Sequence, residues 1–444
     1  MTSPDLRRII DVAPLVQAGT LSPVEIVQRC LTQIDARHTL NAFITRRDTQ
    51  AIAEARALEA ELAAGKYRGP LHGIPIAVKD LIDVAGTKTT SGSALPAVEA
   101  TRDAPVITRL REAGAVIIGK TNLHEFAFGT TSDETAFGAV RNPFDETRSA
   151  GGSSGGSAAA LATGMAFGAL GTDTGGSIRI PSAACGTVGL KPTYAELSTE
   201  GVVPLSNTLD HVGPMTRSVA DAALLFEAMS GLPPLTITRG NGRYTFGVPR
   251  TYFCDRIDPG MARALDRAIE AVKAAGHSVR TVDIAHAAWT ADVYLHIVLP
   301  EASWYHGDFL ERYAASYSPG VRLRLEMGRY ILAEDYVRAM QMRDVLTDSV
   351  DAALDGIDGL ILPSLPIAAP PIGVPMVDVN GTKEPVRAAM LRLTQLFDIT
   401  GHPAIALPAL QDVDTLPRGV QIVGHRDRTA RLLEVAMAVE RHIS

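Results

Sequence analysis

Cysteine is scarce in this chain of 444 residues: Cys30, Cys185 and Cys254 are all it has. An odd number, widely spaced and without a Cys-x-x-Cys pair, argues against a disulfide framework and a structural zinc site, so a reducing, cytoplasmic setting is expected. Long apolar runs are missing as well. No stretch approaches the ~18 residues of a membrane span, and Met1 to Thr20 alternates charged with apolar residues where a secretory leader needs an apolar core of roughly 7–15. Nor is there a basic stripe. The net charge is -7 and the signs alternate along the chain, which excludes nucleic acid as an expected partner. His124 and Glu125 adjoin, but Phe128 stands where a zinc-protease motif needs its second histidine, so both are read as structural; no metal and no cofactor is expected.

What is present is the composition of a folded protein, with 46% hydrophobic and 20% charged residues. Length alone would suggest roughly two to four domains of ~100–200 residues, yet no linker, repeat or low-complexity segment divides the chain. A single domain over 1–444 is expected, led in by a helical segment over 1–64. Ser22 and Pro23 read as a helix N-terminus with Glu25 completing a capping box, the helix running to about Arg37. Helical periodicity resumes over Asn41 to Ala64. Leu71 to Asp80 reads as a buried strand, Val106 to Ala113 as a helix, Ala115 to Lys120 as a strand and Thr121 to Pro143 as a loop. Cys185 to Pro192 is another expected strand. Ser218 and Asp221 frame a helix that Leu232-Pro233-Pro234 should end. Tyr244 to Pro249, Gly359 to Pro363, His402 to Pro408 and Gly419 to Gly424 read as strands, and Met261 to Ala275 and Thr429 to His442 as helices. This alternation predicts an α/β fold, a mixed twisted central sheet covered by helices on both faces.

The stretch from Arg148 to Ser177 is where chemistry is expected. Two serines, Ser153 and Ser177, each follow a Gly-Gly pair on either side of an alanine-rich segment with the composition of a buried helix. A nucleophile elbow matches Gly151-Gly152-Ser153-Ser154-Gly155 literally but needs a hydrophobic strand before it, and Asn142 to Ser149 is polar and broken by proline. Asp173-Thr174-Gly175 has no second copy to complete an aspartic-protease pair, and no lysine has a serine three positions before it. A flexible Gly-Ser linker would not run into a strong helix former and then recur inside apolar sequence. The remaining reading is a serine nucleophile without histidine. Gly175 and Gly176 let consecutive N–H groups point one way beside Ser177, which suits an oxyanion. Lys79, at the end of its strand, either marks the strand leaving the core or is desolvated enough to act as a base through the Ser153 hydroxyl.

These residues together resemble the amidase signature enzymes. The likeness rests on Gly73-Ile74-Pro75-Ile76-Ala77-Val78-Lys79-Asp80, on Gly151 to Ser157, on Asp173 to Arg179 and on Gly189-Leu190-Lys191-Pro192-Thr193, within a core of 65–235. The resemblance implies a Ser-cis-Ser-Lys triad. Ser177 would attack an amide carbonyl, Ser153 would follow a cis peptide and relay protons, and Lys79 would be the ultimate base. It further implies an oxyanion hole of the N–H groups of Thr174, Gly175 and Gly176, an acyl site lined by Phe128, Gly129 and Thr130, and a role for Arg179 other than substrate contact. Residues 285–345 resemble nothing specific and are expected to select the substrate, although Trp289, Trp304, Tyr305 and Arg343 do not distinguish aryl, alkyl and polar amides; an aromatic in a helix is usually core. The expected partner is a small-molecule amide, with no nucleic acid, no membrane and room for a homodimer. Two alternatives stand beside a self-sufficient amidase. One is the glutaminase-type A component of a glutamyl-tRNA amidotransferase, whose Ser-Asn-Leu-Ala-Arg run is missing after Glu301-Ala302-Ser303. The other is a catalytically silent scaffold on the same fold.

Overall fold

The computed structural model describes residues 7–231, 242–409 and 416–443. Eleven strands form its central sheet, in the spatial order Phe43–Arg46, Val116–Thr121, Pro75–Lys79, Gly168–Asp173, His211–Thr216, Val188–Lys191, Ala404–Pro408, Gly419–Val423, Gly359–Pro363, Thr245–Pro249 and Ser278–Val282. The second to fourth strands run parallel, as do the last three, and the remaining neighbours are antiparallel. The sheet is therefore mixed. Val116–Thr121, Pro75–Lys79, Gly168–Asp173, His211–Thr216 and Val188–Lys191 are buried at every residue. Both faces of the sheet are thus covered, and the apolar runs of these strands have no polar alternation to lose.

Most expected elements lie where the residues point. Ser22 caps the helix Pro23–Ala36 by accepting from the N–H groups of Val24 and Glu25, at 3.0 and 3.4 Å. Ser218 likewise accepts from Asp221 N–H at 3.1 Å to cap Val219–Ser230. The acidic partners do something else. The Asp221 carboxylate takes the N–H groups of Ile9 and Ile10, at 3.1 and 3.0 Å, and so anchors the helix Ile9–Gln17 that precedes everything else described.

Two expectations are corrected. Phe43–Arg46 is an edge strand and the helix begins only at Asp48, because aromatic and β-branched Phe43, Ile44 and Thr45 pair with Val116–Thr121. Cys185 ends a helix, Arg179–Cys185, whose left-handed Gly186 precedes the strand Val188–Lys191. Arg141–Asn142 and Asp145–Ser149 pair as a separate ribbon, so no strand of the central sheet leads into Ser153. The helix Val219–Ser230 closes on Gly231, with φ 64°; the Leu232-Pro233-Pro234 stop lies outside the described residues.

The helices Pro319–Gly328 and Ala333–Leu354 both pack on the helix Thr290–Tyr313 over the region expected to select substrate. Trp289 and Trp304 are 39% and 74% exposed, so neither tryptophan is core. All three cysteines are free. Among the described residues no helix is long and apolar enough to cross a membrane, and no group of His, Cys, Asp and Glu could hold a metal ion.

Candidate active site

The strand Pro75–Lys79 delivers Lys79 into the interior with no exposed surface, which removes the reading of a strand leaving the core. Its Nζ donates to Ser153 Oγ at 2.7 Å and to Thr172 Oγ1 at 2.8 Å. Both partners are neutral hydroxyls, so nothing in contact compensates an ammonium for lost hydration. Burial lowers the Lys79 pKa to about 7, opposed by the charges of Asp173 and Asp210. A large share of the side chain is therefore a free amine near neutrality, able to accept a proton that Ser153 hands on.

Ser153 follows a cis peptide from Gly152 and is held from several sides. Its carbonyl accepts from His124 N–H and from Ser132 Oγ, both at 3.1 Å. Gly152 is needed for this approach: a Cβ on it would lie 2.8 Å from Thr131 N and 2.9 Å from Ser132 N. The helix Gly155–Ala162 starts directly after Ser154, and its small residues let it sink fully into the core beside Pro75–Lys79.

Ser177 sits on the loop after Gly168–Asp173. The two serine segments touch through the backbone, with Ser154 N–H donating to the Ser177 carbonyl at 3.2 Å. Ser177 is 4% exposed, whereas Lys79 and Ser153 are wholly buried. The glycine loop before it is fastened by side chains. Thr394 Oγ1 donates to the Gly175 carbonyl at 2.5 Å, and Thr174 Oγ1 donates to Asp210 Oδ1 at 2.6 Å. Gly176 adopts φ 138°, and a Cβ there would be 2.2 Å from Thr394 Oγ1, so this position admits only glycine without displacement.

Beneath the loop lies an ionic lock. Arg179 donates through Nε and Nη2 to both oxygens of Asp173, at 3.0 and 3.1 Å, and through Nη2 to Asp398 Oδ2 at 2.6 Å. Its Nη1 reaches the Thr394 carbonyl and Gln421 Oε1, each at 3.1 Å. Burial alone would raise the Asp173 pKa, but the guanidinium more than reverses this and leaves it below the usual carboxylate range. Asp398 goes the other way, raised well above that range by burial and by the charge on Asp173. Asp173 also accepts from Ile178 N–H at 3.1 Å, which fixes the turn that carries Ser177. With every guanidinium edge engaged in protein, Arg179 is not offered to a substrate.

Of the remaining expected residues, Gly129 and Thr130 share one opening. Phe128 is buried, Gly129 lies against the His124 ring, and Gly129, Thr130 and Thr131 line a pocket of 340 Å³ with Arg324 and Arg387. Thr131 abuts Gly152, so the pocket backs onto the Gly152–Ser153 peptide. A larger cavity of 790 Å³, among Arg8, Asp11, Phe144 and Arg217, contains none of the candidate residues. Glu125 is buried and accepts from Ser93 Oγ at 2.6 Å and from Ser318 N–H at 2.7 Å, in keeping with a structural role. Sequence reasoning missed Thr172, Thr394, Asp398, Gln421 and Tyr294. Only Thr172, inside the motif-bearing stretch, carries a local signal.

The fold and the site together are those of a hydrolase of the amidase class. Residues 25–433 match the family described as Amidase, and the chain belongs to the amidase signature family. It is 40% identical over 417 residues to an amidase of Pseudomonas putida, covering 90% of this chain and 88% of that one. It is 34% identical to the A component of the glutamyl-tRNA(Gln) amidotransferase of Carboxydothermus hydrogenoformans, covering 97% of this chain and 96% of the other. A solved structure described as an amidase superposes with a TM-score of 0.94 at 37% identity, over 98% of this chain and all of that one.

Proposed function

We propose that the protein hydrolyses a linear carboxylic amide to the acid and ammonia or an amine, with Ser177 as nucleophile, Ser153 as proton relay and Lys79 as base. The observation that carries this reading is the 2.7 Å hydrogen bond between a fully buried lysine and Ser153, one peptide away from the segment bonded to Ser177. Ser177 Oγ attacks the carbonyl carbon as its proton passes to Ser153 and the Ser153 proton to Lys79. The carbonyl oxygen becomes an oxyanion facing the N–H groups of Thr174, Gly175 and Gly176, where one donor is typically worth ~3 kcal/mol. Collapse expels the nitrogen, which takes a proton back through Ser153, and leaves an acyl ester on Ser177. Water then attacks with the same relay and restores the hydroxyl. No cofactor, nucleic acid or membrane enters these steps.

The test is ammonia release by the purified chain alone, with aryl, alkyl and small polar amides and with glutamine. Release from an amide other than glutamine that Ser177→Ala lowers by a factor on the order of 10³ or more supports a self-sufficient amidase. Release from glutamine alone would favour the amidotransferase reading, and silence of a folded chain on every amide would sink the proposal.

A further inference from the structure

The 340 Å³ pocket behind Gly152 holds two arginines with unequal partners. Arg324 donates to Glu134 at 3.2 Å, and Glu134 also meets His124 Nε2 at 3.2 Å. Asp133 is occupied too, by Gly373 N–H at 3.0 Å and by the Thr131 hydroxyl. Arg387 is different. Carried on the short helix Val386–Leu391, it makes no hydrogen bond and no ion pair among the described residues, and its Nε is buried without an acceptor. Both guanidinium groups flank the Phe128 ring, at 5.3 Å for Arg324 and 5.6 Å for Arg387. They also repel: burial and then the charge of Arg387 push Arg324 down to about 10. The group opposing the depression of Arg387 is Tyr294, whose hydroxyl packs on Gly175 of the oxyanion loop.

A half-buried cation whose Nε is shielded and which has no counter-ion is costly unless something else supplies the charge. Here it lines a pocket that touches the glycine loop of Ser153 through Thr131 and Gly152, and its charge is felt by Tyr294, which packs on Gly175 in the loop before Ser177. We propose that the substrate is an amide that also bears a carboxylate, and that Arg387 binds this carboxylate, with Arg324 adding positive charge, so as to present the amide to Ser177. The proposal rests on the amidase reading and narrows its substrate class. The planar fork of a guanidinium matches the two oxygens of a carboxylate. A neutral alkyl or aryl amide would leave it unmatched.

Matched pairs test this: glutaramate against pentanamide, and succinamate against butyramide, with ammonia release measured for wild type, Arg387→Gln and Arg387→Lys. The wild type is expected to favour the anionic member of a pair by at least tenfold in kcat/KM. Arg387→Gln should shrink that preference by about 10- to 100-fold, the loss of one charge-assisted pair, and Arg387→Lys should keep part of it. Equal or faster hydrolysis of the neutral member, or a preference untouched by Arg387→Gln, overturns the proposal. A second readout is independent of turnover: calorimetric binding of glutaramate and pentanamide to Ser177→Ala, with and without Arg387→Gln. Selective glutaramate binding that the second substitution removes supports the carboxylate site even if no ammonia is released, a result that would sink the amidase reading alone. Binding of both amides equally, or of neither, overturns the carboxylate site.

Discussion

Two strand ends in the sheet each carry a buried lysine, in opposite surroundings. Lys79 closes Pro75–Lys79 and donates to the Ser153 and Thr172 hydroxyls; Lys191 closes Val188–Lys191 and donates to the Pro192 carbonyl at 3.2 Å and His211 Nε2 at 3.1 Å. Burial pushes both down to about 7. The second network is closed. With Lys191 donating to Nε2, His211 is assigned its proton on Nδ1, which points to the Leu209 carbonyl at 2.7 Å, and burial keeps its pKa well below the ordinary range. The network of Lys79 runs instead through a hydroxyl toward a loop that touches a pocket. A displaced pKa therefore marks both sites, and the path from the lysine to a reacting atom is what separates base from scaffold.

The sharpest way to break this comparison is to truncate each lysine in turn. Lys79→Ala should lower kcat by about 10²–10⁴-fold, the usual worth of a general base, while the melting temperature holds or rises because a poorly compensated buried amine is gone. Lys191→Ala should do the reverse. It leaves His211 Nε2 and the Pro192 carbonyl without their donor, and denaturant unfolding should register a loss of about 1–3 kcal/mol with kcat of the folded fraction little changed. A large loss of kcat in folded Lys191→Ala would mean that the lock takes part in chemistry. Next in size is Gly176→Ala, where the clash with Thr394 Oγ1 should shift the oxyanion donors and lower kcat by about 10²-fold at nearly constant KM. The smallest effect is in pH. With Lys79 working as the free amine in the proposed mechanism, log kcat/KM should climb by about one per pH unit below about 7 and flatten above it. A profile flat from pH 5 to 9 would remove Lys79 from the base role.

The motif side of this contrast is legible in the sequence, and the lock side largely is not. Lys79 stands out because a charged residue follows Ile76-Ala77-Val78, and the serines stand out because Gly-Gly pairs frame them. Both signals are local. Asp173 and Arg179 are local as well, yet nothing near them announces that their charges are completed by Thr394, Asp398 and Gln421 from the far end of the chain. Arg387 is invisible for the same reason: in the run Pro385-Val386-Arg387-Ala388 it reads as one more helix-surface charge. The misread edge strand has another cause. Phe43–Arg46 is too short for its alternation to show, and pairing with Val116–Thr121 decides its conformation.

Strand order also has a consequence for how the molecule comes into being. Ala404–Pro408 and Gly419–Val423 sit in the middle of the sheet, between Val188–Lys191 and Gly359–Pro363, and the residues that fasten Gly175 and Arg179 lie between Thr394 and Gln421. A growing chain on the ribosome exposes Lys79, Ser153 and Ser177 early, but for ten seconds or more, at about 5–20 residues per second, nothing holds their loops in register. On the proposed reading the nucleophile is thus made long before it is armed, and an interrupted synthesis is expected to leave an inert fragment in place of a stray hydrolase.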